Sequence, residues 1–277
     1  MAQNETQNYT LGRGEIYFAR FADAVNFVPA GERYIGNSPE LSLTISQEVL
    51  DHFSSDRGIR EKDASIPLQV DRTGSFSTDN IHPENVAMFF FGESQSVVEA
   101  GGTITSETVA PEGAEQGLYY QLGVSEARPT GAKGLIDTDD SNSGGSFTVF
   151  ENDSNSGAGV AFVKGTDYEI DYDSGRLYII PDGGIADGTV LSVTYVIKAS
   201  TFARVISGSA PVAGAMRYIQ INPQGTNFDY YFPYVKVSPN GDYALKGDDW
   251  QVIPFNLEIL KLTGKEAIYM DGRPIYA

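Results

Sequence analysis

Leu41-Ser42-Leu43-Thr44-Ile45-Ser46-Gln47-Glu48-Val49 and Ser65-Ile66-Pro67-Leu68-Gln69-Val70-Asp71-Arg72-Thr73 flank a charged stretch, residues 51–63. In the first run apolar residues fall at 41, 43, 45 and 49, with small or acidic residues between them. Period-two alternation places successive side chains on opposite faces of a strand, one toward a core and one toward water. The two runs therefore predict a long antiparallel hairpin, with a polar face that is small and acidic rather than basic.

Working outward, residues 14–21 read as a first strand and residues 31–39 as a turn-rich connection. After the hairpin comes the best helix signal, residues 79–92. Asp79 or Asn80 is placed to cap it, Pro83 sits where its missing N–H costs nothing, and Gly92 is a natural stop. Val86, Phe89 and Phe90 are expected on the face toward the sheet. Toward the C-terminus, residues 217–222 and 229–237 read as strands. Residues 251–260 alternate again, with Ile253, Phe255, Leu257 and Ile259 inward and Asn256 and Glu258 outward.

Composition shifts between these regions. Residues 99–200 hold 16 acids against 5 bases. They include two Ser/Asn/Gly/Asp-rich loops, 137–146 and 151–157. Short strands are expected at 147–150, 160–163, 168–172, 176–180 and 189–197, with turns at Asp173-Ser174-Gly175 and Pro181-Asp182-Gly183-Gly184. This stretch reads as a β-rich module inserted into a main domain. The expected division is 1–98, 99–200 and 201–277.

Composition narrows the function. Thirty Gly, 13 Pro and many aromatic residues point to a mainly β chain with turns. The chain has no Cys, so disulfides and thiolate metal sites are excluded. A net charge of -18 argues against binding nucleic acid through its phosphates. The N-terminus lacks a basic n-region and an apolar h-region, so no signal peptide is expected. The longest apolar run, residues 86–91, is too short to span a bilayer, so no membrane binding is expected.

No chemistry-bearing motif emerges. His52 and His82 are the only histidines. Asp171-Tyr172-Asp173-Ser174-Gly175 opens like a calcium loop, but Arg176 and Asp182 stand where an EF-hand needs Gly and Glu. There is no G-x-S-x-G elbow. Gly264-Lys265 lacks the rest of a P-loop, and Gly157-Ala158-Gly159 lacks the third glycine of a dinucleotide fingerprint. The expectation is no catalytic, metal or cofactor site, and no enzyme.

The order strand, long hairpin, short helix, further strands resembles the tail tube (major tail) proteins of long-tailed bacteriophages. The residues carrying the resemblance are 35–45, 48–55, the helix at 85–92, and 234–241 through 249–255. It covers roughly 1–95 and 200–277; residues 99–200 depart from the minimal family form. The resemblance implies an antiparallel β-sandwich or barrel with one short flanking helix and the inserted module on its surface. It implies hexameric rings stacked into a tube that conducts DNA without specific binding. Implied partners are further copies of the chain, a tape measure protein, and tail terminator and initiator proteins. The implied location is the virion tail, assembled in a host cytoplasm. Ser42, Thr44, Ser46, Glu48, Gln69, Asp71, Asn256 and Glu258 then become lumen-facing candidates. The loop becomes the inter-ring contact, with Asp51, His52, Phe53, Asp56, Arg57, Ile59, Arg60, Glu61, Lys62 and Asp63 as candidates. The alternative is a β-sandwich carbohydrate-binding or adhesin-like virion module served by the acidic middle third. A carboxylate-based hydrolase is a third reading.

Overall fold

The computed structural model describes residues 9–56, 58–137, 147–152 and 159–273. In chain order the first strands are β1 (Gly14–Asp23), β2 (Val28–Pro29), β3 (Arg33–Tyr34), β4 (Glu40–Ser54) and β5 (Glu61–Thr78). A helix, α1 (Pro83–Phe89), follows. Next come β6 (Glu93–Glu99), β7 (Gly102–Ala114), β8 (Tyr119–Gln121), β9 (Thr148–Glu151), β10 (Tyr168–Asp171), β11 (Arg176–Ile179) and β12 (Thr189–Ile197). The chain closes with β13 (Ser200–Ile206), β14 (Val212–Gln220), β15 (Phe228–Pro239), β16 (Ile253–Ile259) and β17 (Tyr269–Gly272). It is mainly β and antiparallel, and it forms two compact units, Met1–Gln95 with Ala203–Ala277, and Ser96–Phe202.

The first unit is built on a nine-stranded sheet of order β2-β1-β14-β15-β16-β5-β4, with β17 beside β15 and β3 beside β1. The path runs from β2 to β4 without returning on itself, so this sheet is open and no closed barrel forms. One face carries the core, including Ile16, Phe18, Phe76, Phe232, Val235 and Phe255. In β16 the inward set Ile253, Phe255, Leu257 and Ile259 is buried while Asn256 and Glu258 are exposed, as the alternation predicts.

The helix is shorter than its sequence signal and capped differently. His82 is the N-cap, its Nδ1 accepting the Glu84 N–H at 3.3 Å. Pro83 takes the first helical position, so the cap falls immediately before it. Asp79 and Asn80 instead tie down the preceding turn: Asn37 donates to Asp79 at 2.6 Å, and Asn80 to the Ile35 carbonyl at 3.2 Å. Val86 and Phe89 lean on the core, but Phe90 is the C-cap and is exposed. The third expected core residue is replaced by Met88, one helical turn from Asn85.

Asn85 is the buried polar anchor of this helix. Its amide donates at 2.8 Å to the carbonyls of Ile35 and Asn80, and its Oδ1 accepts from Arg33 at 2.7 Å. Asn85→Ala takes one partner from each of two carbonyls, which keep the Asn80 amide and the His82 N–H, and one from the Arg33 guanidinium. The expected loss is about 2–3 kcal/mol, read from urea unfolding. An unchanged midpoint would show that water replaces the amide without cost.

The second unit encloses its own core between two three-stranded sheets, β10-β11-β8 and β7-β12-β9. Leu177 and Ile179 come from one sheet and Leu191, Val193 and Tyr195 from the other, all fully buried. The expected strands at 147–150, 168–172, 176–180 and 189–197 are present, shifted by no more than one residue. Residues 160–163 do not form a strand; Ala161 makes only an isolated bridge to Phe150. Of the two loops read at 137–146 and 151–157, residues 138–146 and 153–157 lie outside the described residues. β6 and β13, which carry the chain out of the first unit and back, pair with each other.

Candidate functional site

β4 and β5 pair over their whole length, from Glu40 opposite Ser77 to Ser54 opposite Glu61. β16 accompanies β5 only as far as Thr73, opposite Glu258. Residues 45–54 and 61–72 therefore leave the sheet as a two-stranded ribbon. At about 3.3 Å per residue the free part is about 30 Å long. The loop expected at 51–63 is thus mostly strand. Asp51, His52, Phe53, Glu61, Lys62 and Asp63 lie within the strands, and of the described residues between them only 55, 56 and 58–60 lie outside. The period-two pattern weakens before Asp51, so the sequence ends the strand early.

The ribbon's first face continues the core face of the sheet. Leu41 and Phe76 still pack on the core, and Phe76 stacks on Phe255 at 4.9 Å. Beyond them the face carries Leu43, Ile45, Val49 and Phe53 on β4 and Pro67 and Val70 on β5, interrupted by Gln47 opposite Val70, Arg72 opposite Ile45, and Asp51 and Lys62 toward the tip. Nothing in the described chain covers it: Ile45 is 64% exposed, Val49 44% and Val70 42%. The sequence expectation of a hairpin with one face on its own core holds only at the base. Isolated two-stranded hairpins are marginal in water, and an exposed face rich in large apolar side chains marks an interaction surface. β4 is also the last strand of the sheet, so its outer edge is unpaired among the described strands.

The second face holds all eight lumen candidates, every one exposed. Register aligns them in cross-strand rows. Ser238, Asn256, Ser75 and Ser42 form one row, with the Ser42 and Ser75 hydroxyls 2.9 Å apart. Lys236, Glu258, Thr73 and Thr44 form the next. Ser46 opposes Asp71 and Glu48 opposes Gln69 on the free ribbon. Gln69 donates to both Asp71 oxygens, at 2.8 and 2.7 Å. Glu258 is matched by Lys236 at 3.5 Å, a neighbour visible only once the register is known. The unopposed charge of the eight therefore rests on Glu48 and Asp71. Leu68 is a bulge residue on β5, and beyond it Leu50 and Ile66 join this second face.

Polar pairs hold the tip. Lys62 meets Asp51 at 2.6 Å, Ser65 donates to Asp51 at 2.9 Å, and His52 pairs with Asp63 at 2.5 Å. The Lys62 contact, then the Ser65 hydroxyl, holds the Asp51 carboxyl below its ordinary range. This bracing is complete at neutral pH and is lost as pH falls through the carboxylate range. Arg60 lies 5.5 Å over the Phe53 ring, and Ile59 points into solvent. Asp56 and Glu61 are exposed beside them, and Arg57 lies outside the described residues.

Among the described residues no three His, Asp or Glu side chains gather to hold a metal ion, and no helix is long and apolar enough to cross a membrane. A family described as "Protein of unknown function UCP028589" matches residues 9–127, less than half of the chain. The match takes in the first strand, the ribbon and the helix, and ends within the second unit. No curated protein matches the chain.

Proposed function

We propose that this chain is a structural virion subunit that polymerises as stacked, hexameric rings into the tail tube of a long-tailed bacteriophage. The observation that carries the proposal is the ribbon, whose largely apolar face extends the core face beyond any cover the described residues supply. A neighbouring copy supplies that cover, and the bare β4 edge gives it a strand to pair with. The opposite face, small, polar and with Glu48 and Asp71 unopposed, suits a lumen. Fixed carboxylates repel phosphate and let DNA slide without adhering. In this reading the chain catalyses nothing and needs no cofactor. Its other partners are the tape measure, terminator and initiator proteins of the tail, and its location is the virion.

Negative-stain electron microscopy of the purified chain at high concentration, beside virions carrying it, tests the reading. Rings or tubes with sixfold end views are expected; monodisperse particles unlike the virion tail tube would overturn it. The lumen assignment has its own test. Glu48→Lys, Asp71→Lys and Glu258→Lys combined should leave folding and tubes intact but lower infectivity by tenfold or more through retained DNA. Unchanged titres would remove these residues from the lumen.

One observation favours the alternative, a carbohydrate-binding or adhesin-like virion module. On the second unit, Tyr119 and Tyr178 pair at 4.6 Å beside Glu169, Asp171 and Arg176, lining a shallow depression of about 270 Å³. An exposed ring, Tyr119, with Arg176 4.5 Å from its centre and hydrogen-bonding groups beside it, is chemistry that can hold sugars. A glycan array with wild type and Tyr119→Ala separates this reading from the first.

A further inference from the structure

The connection from β15 to β16, residues 240–252, stands at the end of the sheet away from the ribbon tip. Register fixes this: Glu40, Ser77, Thr78 and Ile253 are level with one another at its base, while β4 and β5 run on to Ser54 and Glu61. About 55 Å of strand separates the two levels. The connection is braced from below. Tyr243 meets Phe89 edge-on at 5.6 Å, its hydroxyl donates to Gln251 at 3.3 Å, and Gln251 donates to the Leu245 carbonyl at 3.1 Å.

From this braced base two large apolar side chains project into solvent. Leu245 is 72% exposed and Trp250, the single tryptophan of the chain, is 94% exposed. Asp248 and Asp249 precede Trp250, and neither meets a cation among the described residues. The ribbon tip offers apolar side chains and a cation to match, although both surfaces are mixed in charge, with Asp56 and Glu61 exposed at the tip and Lys246 in the loop. Phe53 and Ile59 are exposed, and Arg60 touches the Phe53 ring with no carboxylate partner among the described residues.

We propose that the Trp250 loop is the socket for the ribbon tip of a second copy of this chain. Leu245 and Trp250 cover Phe53 and Ile59, and Arg60 reaches the carboxylates of Asp248 and Asp249. The proposal rests on the self-assembly reading and gives that assembly its axial contact. The chain's own tip lies too far from its own socket, so the contact is intermolecular. Tip and socket are different surfaces at opposite ends of one sheet. Such a heterologous contact repeats in one direction without closing. A tryptophan on a braced loop also suits an interface hot spot, since little ordering of the loop is left to do on binding.

Because the tryptophan is single, its emission reports on the socket directly. The experiment follows tryptophan emission and light scattering of the full chain over a rising concentration series. A blue shift coincident with assembly is expected. Trp250→Ala and Arg60→Glu should each raise the critical concentration about thirtyfold, the scale of a hot-spot loss. Circular dichroism should stay unchanged, since both side chains are exposed in the free chain. Arg60→Glu combined with Asp248→Arg and Asp249→Arg should recover much of the loss. Assembly with unshifted emission, or a Trp250→Ala chain that assembles at the wild-type concentration, would overturn the socket and leave self-assembly standing. A wild-type chain that never assembles would overturn both.

Discussion

Ile45→Glu, Val49→Glu and Val70→Glu combined are expected to give a folded monomer that forms no rings or tubes at any accessible concentration. In the free chain these side chains lie on the uncovered face of the ribbon, at 64%, 44% and 42% exposure. Surface changes away from special features move stability by about 0.5 kcal/mol or less each. The melting temperature should therefore hardly move. Between copies the balance reverses. Each apolar side chain buried in an interface contributes about 1.5–3 kcal/mol, and a carboxylate put there unpaired costs more than the lost contact. Every 1.4 kcal/mol is a factor of ten in association, so three such changes take assembly out of reach. Calorimetry with sedimentation velocity and electron microscopy reads both halves. Tubes of normal length would show that the apolar stripe is not the contact. A melting temperature lowered by many degrees would mean that the stripe supports the monomer instead.

Phe255→Ala should do the opposite, damaging the fold before assembly is reached. Phe255 is fully buried, stacked on Phe76 at 4.9 Å and 6.3 Å from Phe89. It joins the base of the ribbon, the last strand beneath it and the helix. Truncating a buried phenylalanine costs about 3–5 kcal/mol, because the cavity closes only in part. For a unit of this size that lowers the transition by roughly 10 °C. The loss should be confined to the first unit. The second has its own core around Leu177, Leu191 and Tyr195, and amide exchange in β11 and β12 should keep wild-type protection. Equal loss of protection in both units would show that they unfold as one.

Much of the architecture was legible where alternation is clean. β16 reads directly from Ile253, Phe255, Leu257 and Ile259, and the base of the hairpin from Leu41 and Leu43. Alternation reports that a face is apolar, however, not what covers it. The stretch from Ile45 to Val49 therefore reads as facing a core that the described residues do not provide. β7 escaped notice because Ser106 and Ala110 adopt positive φ, 53° and 51°. The register against β12 shifts along this strand, which throws Ile104 and Val109 out of step. The helix cap was misplaced because Asp79 and Asn80 are good capping types, yet Pro83 fixes the helix start one residue after His82. The Lys236 beside Glu258 was hidden because cross-strand neighbours depend on register, which composition does not encode. Trp250 carries no periodic signal; its exposure on the β15–β16 connection is visible only in the fold.

The pairing of β6 with β13 has an architectural corollary. Hydrogen-bonded strands lie about 4.8 Å apart, so the chain departs for the second unit and returns from it through neighbouring positions. A short turn spans that gap as readily as a hundred residues do, and the entropy of closing the loop changes only with the logarithm of its length. No residue of the first core sits between those two crossings. The insertion point is therefore a natural splice, a place where one module can be exchanged for another, or for none, while the first unit keeps its core.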